Sequence, residues 1–367
     1  MTMNIPKLDK FTYKIALSSP AHFSGDMTSD SFCLTHAWPL HKNNMDIFDD
    51  SGRFGRSFFV LTFRERELPE DEEKNRQPPH YDFVGDFFCV LLSAYFGKRF
   101  DNLGFFQSHG IHCIPDIQPP KLRKLTDALP VSSKPRKDLD IKLELHASKP
   151  LLPILEAVFL EINEKKPVAK ELELAFAAGR FYLQALQLFE SDAELAFLSL
   201  VSAGEVLISG LDFSENEIYD GETQELLLEI KEKMGEAKSE KVRDRFFQIR
   251  RRFRIGLAKL VNKAFFEGSE SRDEFSKFKQ DEFDMRIAAA YDLRSNFLHA
   301  GKRFGVWVET MGHMNAEVSI GMPAYGDAEW KKLISRIPTL VGMERVIRFC
   351  LLRFLHQRVS PLHEKLN

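Results

Sequence analysis

The sequence predicts an α+β chain in two parts: a mixed α/β N-terminal domain over residues 1–150 and an all-α helical bundle over residues 151–367. Three observations predict it. Strand-like alternation is confined to the first part. Apolar residues recur at helical spacing from residue 150 onward. The composition is 44% hydrophobic and 29% charged, with 33 phenylalanines, which suits a globular chain with an aromatic core.

In order along the chain, "KFTYKIALS" and "SFFVLTFRE" have strand composition, and "LDIKLELHA" alternates as a half-buried strand does. "PEDEEKNRQPPHYD" (Pro69–Asp82) reads as an exposed loop, and "SSKPRKD" (Ser132–Asp138) as a linker or long loop. Phe83–Phe96 suits a buried helix. Lys170–Glu190 and Asp192–Ser209 follow as helices, the second with Asp192 as its N-cap. "ETQELLLEIKEKMG" begins a third. "EKVRDRFFQIRRRFRIGLAKLVNKAF" carries Phe246, Ile249, Phe253, Leu257 and Leu260 on one side. "DEFDMRIAAAYDLRSNFLHAG" is another helix, closed by Gly301. Lys302–Tyr325 suggests a short hairpin, and a last helix runs from Trp330 to about Arg358, kinked or divided by Pro338.

Composition excludes several classes. The net charge of −3 gives no global pull towards nucleic acid, so any such contact needs a local basic patch. Four cysteines (Cys33, Cys89, Cys113, Cys350) are too sparse for a disulfide framework and fit a reducing cytoplasm. The opening "MTMNIPKLDKFTYK" lacks the apolar core of a secretory signal. The longest apolar run, Phe83–Phe96, is short of the ~20 residues that span a bilayer. No phosphate-binding G-x-x-x-x-G-K-[ST] loop and no G-x-S-x-G nucleophile turn is present. His36 and His41 near Cys33, and His109 and His112 near Cys113, are ligand types at spacings that match no standard zinc finger. No metal site is expected from them.

Two charged residues stand where apolar ones belong. Ile287, Tyr291, Arg294 and Leu298 form one helical stripe, and so do Phe197, Val201, Glu205 and Ile208. A guanidinium on a core-facing stripe needs an acceptor. If the two helices pack, Glu205 is the partner for Arg294, a pairing that by itself requires nothing beyond a structural salt bridge. His299 closes the Arg294 helix, where an imidazole can simply cap carbonyls or meet the helix dipole. Five residues of helix put Arg294 and His299 about 140° apart. A joint site then needs a long reach by the arginine or a second copy of the chain.

The motif "YDLRSNFLHAG", an R-x-x-x-x-H at a helix end, resembles the signature of HEPN domains, and more narrowly the Apea-like HEPN group with its "YDLRSKIVHG" segments. "SLVSAGEVLI" is similar to that group's upstream helix, with Glu205 at the acidic position. The resemblance covers about residues 167–358; "HAG" departs from the more usual "HG". It implies a HEPN-like helical bundle, homodimeric, with Arg294 and His299 as catalytic residues. Glu205, Ser295 and Asn296 would support them. The implied activity is metal-independent endoribonuclease cleavage, with no cofactor, at a cleft where two copies of the motif meet. The implied setting is cytoplasmic RNA-targeting defence or stress response, with a regulatory protein partner.

The chemistry is coherent. RNA cleaves itself when its 2′-hydroxyl attacks the adjacent phosphorus, which needs a proton acceptor, a proton donor and stabilised negative charge. Histidine serves the transfers and arginine the charge. "VRDRFFQIRRRFR" supplies the strongest basic cluster, with Arg243, Arg250 and Arg254 sharing a face, as an RNA-backbone track or a solvated helix surface. The alternatives are a non-catalytic HEPN-like scaffold that binds RNA or a protein, and an unrelated helical interaction domain.

Overall fold

The computed structural model describes residues 9–21, 23–36, 57–64, 81–110, 143–145, 150–164, 170–245, 249–269, 271, 273–309, 315–324 and 326–359. The architecture is α+β, with an antiparallel sheet in the N-terminal part and helices beyond it. Two compact units divide it: Met1–Asp192 with Phe354–Asn367, and Ala193–Arg353.

In the first unit the strands are β1 (Asp9–Ser19), β2 (Phe23–Ser24), β3 (Met27–Thr28), β4 (Phe32–His36), β5 (Ser57–Arg64), β6 (Asp101–Gly110) and β7 (Leu143–Glu144). The main sheet has the order β3-β4-β5-β1-β6, with every pairing antiparallel. A second, two-stranded sheet pairs β2 with β7 in parallel. β1 lies between β5 and β6: Leu17 pairs with Phe59 on one side and Asn102 on the other. The strands expected over "KFTYKIALS" and "SFFVLTFRE" are β1 and β5. Of "LDIKLELHA", Leu143 and Glu144 form the described strand.

Helix α1 (Asp82–Phe96) is the buried helix expected at Phe83–Phe96. It packs on β1 and β6, and α2 (Leu152–Glu164) and α3 (Lys170–Leu188) follow. Phe159 of α2 lies 5.5 Å from Phe32, 5.4 Å from Phe63 and 6.0 Å from Phe88, which ties strands and helices into one aromatic core. Where α3 meets α1, a Cβ on Gly179 would stand 2.1 Å from Val90 Cγ1, so only glycine permits this approach. That contact explains why α3, although it lies beyond residue 150, belongs with the sheet. The shift to helical sequence at 150 marks the end of the strand-like stretches and not the division between units. Pro69–His80, Ser132–Asp138, His41, His112, Cys113 and the side chain of His109 lie outside the described residues.

The second unit begins with α4 (Ala193–Ser209), starting just after Asp192 as expected. Then come α5 (Glu215–Ile218), α6 (Gly221–Met234), α7 (Glu236–Arg245), α8 (Ile249–Leu260), α9 (Lys263–Glu267), α10 (Gln280–Ala300), α11 (Gly305–Val308), α12 (Ala328–Ile334) and α13 (Leu340–Phe354). α4 runs through the middle, against α8, α10 and α11. Gly204 of α4 lies under Phe253 of α8 and Ile347 of α13. A buried ionic centre holds α13 to the preceding loops. Arg345 Nη1 is 2.9 Å from Glu317 Oε1, and Ser269 Oγ and the Phe278 N–H both donate to Glu317 at 2.8 Å. The Arg345 guanidinium also lies 4.1 Å from the Phe265 ring centroid.

Two expectations are corrected here. The region expected as a hairpin, Lys302–Tyr325, contains the short helix α11, and Val318 bridges Pro338 rather than a neighbouring strand. The stretch before Phe265 falls on α7, α8 and α9, with Arg243 on α7, Arg250 and Arg254 on α8, and Asn262 capping α9; residues 246–248 lie outside the described residues. Ile249 and Leu298, placed on apolar stripes, are exposed, and each stands near a helix end, in the first turn of α8 and the last turn of α10. Pro338 does divide the last helix, into α12 and α13. A π-turn at Leu355–Val359 ends it and packs on α3 within the first unit. No helix among the described residues is long and apolar enough to cross a membrane.

Candidate functional site on helices α4, α8 and α10

The structure brings Arg294 of α10 to Glu205 of α4. Arg294 Nη2 donates to Glu205 Oε2 at 3.2 Å, and both side chains keep 23% of their exposure. The acceptor demanded by a guanidinium on an apolar stripe is therefore the residue with the matching anomaly. Tyr291, one helical turn before Arg294, completes a trio. Its phenol and the Glu205 carboxyl act on each other electrostatically, and its ring centroid lies 5.7 Å from the Arg294 guanidinium. Phe253 of α8 supports the ring at 5.4 Å. Burial raises the Glu205 carboxyl above the ordinary carboxylate range, although Arg294 and Tyr291 pull it back down. Burial also raises the Tyr291 phenol, helped by the neighbouring Glu205 charge. The trio thus holds a partly desolvated arginine in one place.

His299 lies on the last turn of α10 and is exposed. Gly301 ends the helix in the left-handed conformation at φ 63°, and its N–H donates to Phe297 O at 2.9 Å. A residue with a Cβ is strained at that φ, so glycine here ends the helix just past the imidazole. No hydrogen bond or ion pair joins His299 to Arg294 or Glu205 among the described residues. Ser295 and Asn296 are half-buried, and their side chains make no hydrogen bond among the described residues. The angular separation along α10 is thus not closed within one chain.

Sequence reasoning missed the group that holds the segment after His299. Glu194, in the first turn of α4, has a side chain only 5% exposed, and it pairs with Arg303. Its Oε1 accepts from the N–H groups of Phe304 at 2.5 Å and Gly305 at 3.0 Å. Phe304 is buried between Phe197 and Phe297, each at 5.6 Å. The only sequence signal was a carboxylate at the start of a strongly apolar helix, which reads equally as an ordinary N-terminal acid.

The basic cluster is partly spent on local acids. Arg250 forms a two-pronged pair with Asp292, Nε and Nη2 each 2.6 Å from a carboxylate oxygen. Arg251 Nε donates to the Glu217 carbonyl at 2.9 Å. Arg254 Nε stands 3.8 Å from Asp284 Oδ2, outside hydrogen-bond distance. The Arg243 side chain lies outside the described residues. Arg250, Arg251, Arg254 and Tyr291 line a cleft of about 590 Å³, and a second cleft of about 340 Å³ shares Arg250 and adds Lys332 and Arg336. Tyr291 thus joins the larger cleft to the Glu205–Arg294 pair.

Comparisons with family models, with curated proteins and with solved structures find no match. The functional reading therefore rests on these residues and on the resemblance of their motif.

Proposed function

We propose that this chain is a metal-independent endoribonuclease of the HEPN type, of the Apea-like group, acting as a homodimer. The observation that supports it most is the pairing of a fixed, partly buried Arg294 with an exposed His299 at the end of the same helix. In this reading Arg294 stabilises charge on the phosphate, and two imidazoles, one from each copy, move the protons. One His299 accepts the proton of the 2′-hydroxyl as its oxygen bonds to phosphorus. The other gives a proton to the 5′-oxygen as the P–O5′ bond breaks. The products are a 2′,3′-cyclic phosphate and a 5′-hydroxyl, and DNA is not cut. Glu205 and Tyr291 position the arginine, and Glu194 positions the chain that follows His299. Ser295 and Asn296 supply neighbouring polarity. The setting proposed is cytoplasmic, in defence or stress response.

The test is incubation of purified protein with mixed RNAs in the presence of a chelator. Wild type is expected to cut and leave cyclic-phosphate ends. Arg294→Ala and His299→Ala are expected to lose cutting by about a hundredfold or more while keeping the wild-type circular dichroism spectrum. Equal behaviour of wild type and both variants overturns the nuclease. A second reading is a non-catalytic scaffold, favoured by the engagement of Arg294 with Glu205 and Tyr291. RNA binding without cleavage, unchanged by His299→Ala, would select it.

A further inference from the structure

The segment after His299 carries two cations that the ribonuclease reading does not use. α10 ends at Ala300 with Gly301 as its cap, so Lys302 and Arg303 follow directly on the motif. Both are exposed, and the Arg303 side chain keeps 81% of its exposure. A free surface loop would make them ordinary solvated charges. This segment is tied at several points. Gly301 sets its start in the left-handed conformation, Glu194 accepts from the Phe304 and Gly305 N–H groups, and Phe304 is buried between Phe197 and Phe297.

Each cation is placed by a neighbour and keeps open donors. Arg303 Nε pairs with Oε2 of Glu194, whose side chain is 5% exposed. Nη1 and Nη2 of Arg303 make no hydrogen bond or ion pair among the described residues. A guanidinium anchored through Nε offers its other two nitrogens as a fork, the geometry that phosphate oxygens match. Lys302 Nζ lies 5.5 Å from the Trp330 ring centroid and 3.9 Å from Asp327 Oδ2, beyond hydrogen-bond distance. Asp327 is committed elsewhere, accepting from the Trp330 N–H as the cap of α12. The Lys302 ammonium donates to no described residue. Four residues of chain separate Arg303 from His299 by no more than about 14 Å.

We propose that Lys302 and Arg303 form a subsite for the RNA phosphates beside the scissile one, so that the preferred substrate extends past the bond that is cut. The inference rests on the ribonuclease reading and deepens it. Such contacts read no bases; they position the backbone, and binding energy from a remote part of a substrate serves the reacting centre. A dinucleotide, whose one phosphate is the scissile one, leaves the subsite empty.

The test compares cleavage of a dinucleoside monophosphate and of a short single-stranded RNA oligonucleotide by the full chain, with a chelator present. Wild type should favour the oligonucleotide in kcat/KM. Arg303→Ala and Lys302→Ala should each shrink that preference by about tenfold, as loss of a charge-assisted contact does. Binding of an uncut version of the oligonucleotide, with a 2′-deoxy sugar at the cleavage position, is followed against salt. Each variant should flatten the slope of log affinity against log salt by about 0.7, the share of one phosphate contact on a single strand. If Arg303→Ala fails to fold because Glu194 loses its cation, Lys302→Ala, which strips no buried charge, decides the matter. A wild type that cuts no RNA sinks the ribonuclease reading and this inference with it. A wild type that cuts both substrates equally well, or variants that keep its preference and salt slope, overturn the subsite and leave the nuclease standing. Variants that lose cutting of both substrates to the same degree show a structural role and overturn it too.

Discussion

Glu205 shows how one side chain links packing to pH. Its raised carboxyl binds a proton more readily in the folded chain than in the unfolded one, because burial penalises the charge more than Arg294 and Tyr291 reward it. By linkage, its contribution to stability is fully present below the ordinary carboxylate range and is lost as pH rises through the raised value. Glu205→Gln should remove that component from a plot of stability against pH, measured by chemical denaturation. A wild-type plot with the same slope as the variant's would count against the desolvated carboxylate. The pair with Arg294 is partly exposed, so a double-mutant cycle on Glu205 and Arg294 should give a coupling of only about 1 kcal/mol. Glu194 is different. Its carboxylate is buried and satisfies two backbone donors, so Glu194→Ala should destabilise the chain by about 1–3 kcal/mol, read from the urea midpoint.

At the scale of elements, close approaches and caps carry the predictions. Gly179→Ala places a methyl against Val90 and should cost about 1–3 kcal/mol by overpacking, seen as a lower melting temperature. An unchanged melting temperature would mean that the two helices part freely. The start of α5 is a capping box in which Ser214 and Glu217 satisfy each other's backbone donors, and Lys259 of α8 bonds the same carboxylate. Hydrogen bonds from Lys259 and Ser214 lower Glu217 to about 2. The stability this lends is present above the ordinary carboxylate pKa and lost as pH falls towards about 2. Wild type and Glu217→Gln should therefore converge in stability under acid and separate near neutrality. Helix existence was legible because apolar periodicity and Pro338 are local signals. The failed hairpin at Lys302–Tyr325 shows the limit: its residues are claimed by other elements, the Phe304 ring by Phe197 and Phe297, and the Val318 backbone by Pro338.

At the scale of the whole molecule, Ala193–Arg353 has its own core, and its ionic centre at Glu317 and Arg345 is internal to it. A fragment spanning 193–353 is expected to unfold cooperatively with a helical spectrum. A fragment that stays unstructured while the full chain folds would show that this core is insufficient. The first unit is discontinuous in sequence, drawing on residues at both ends of the chain, which no window of local pattern reveals.

The sequence by itself determined the α+β class, most helix spans, the strands β1 and β5, and the need of Arg294 for an acid. All of these follow from periodicity and from the cost of burying charge, which are properties of short stretches. Glu205 was legible as that acid because it broke its own helix's pattern in the same way. Only the tertiary structure decided that Tyr291 joins the pair, that Glu194 grips the chain after His299, and that Arg250 is taken by Asp292 while Arg251 and Arg254 keep free donors. Those facts depend on which helix faces which, across separations of 42 to 111 residues. A side chain's partners across such distances are set by packing of the whole core, and no local signal encodes them.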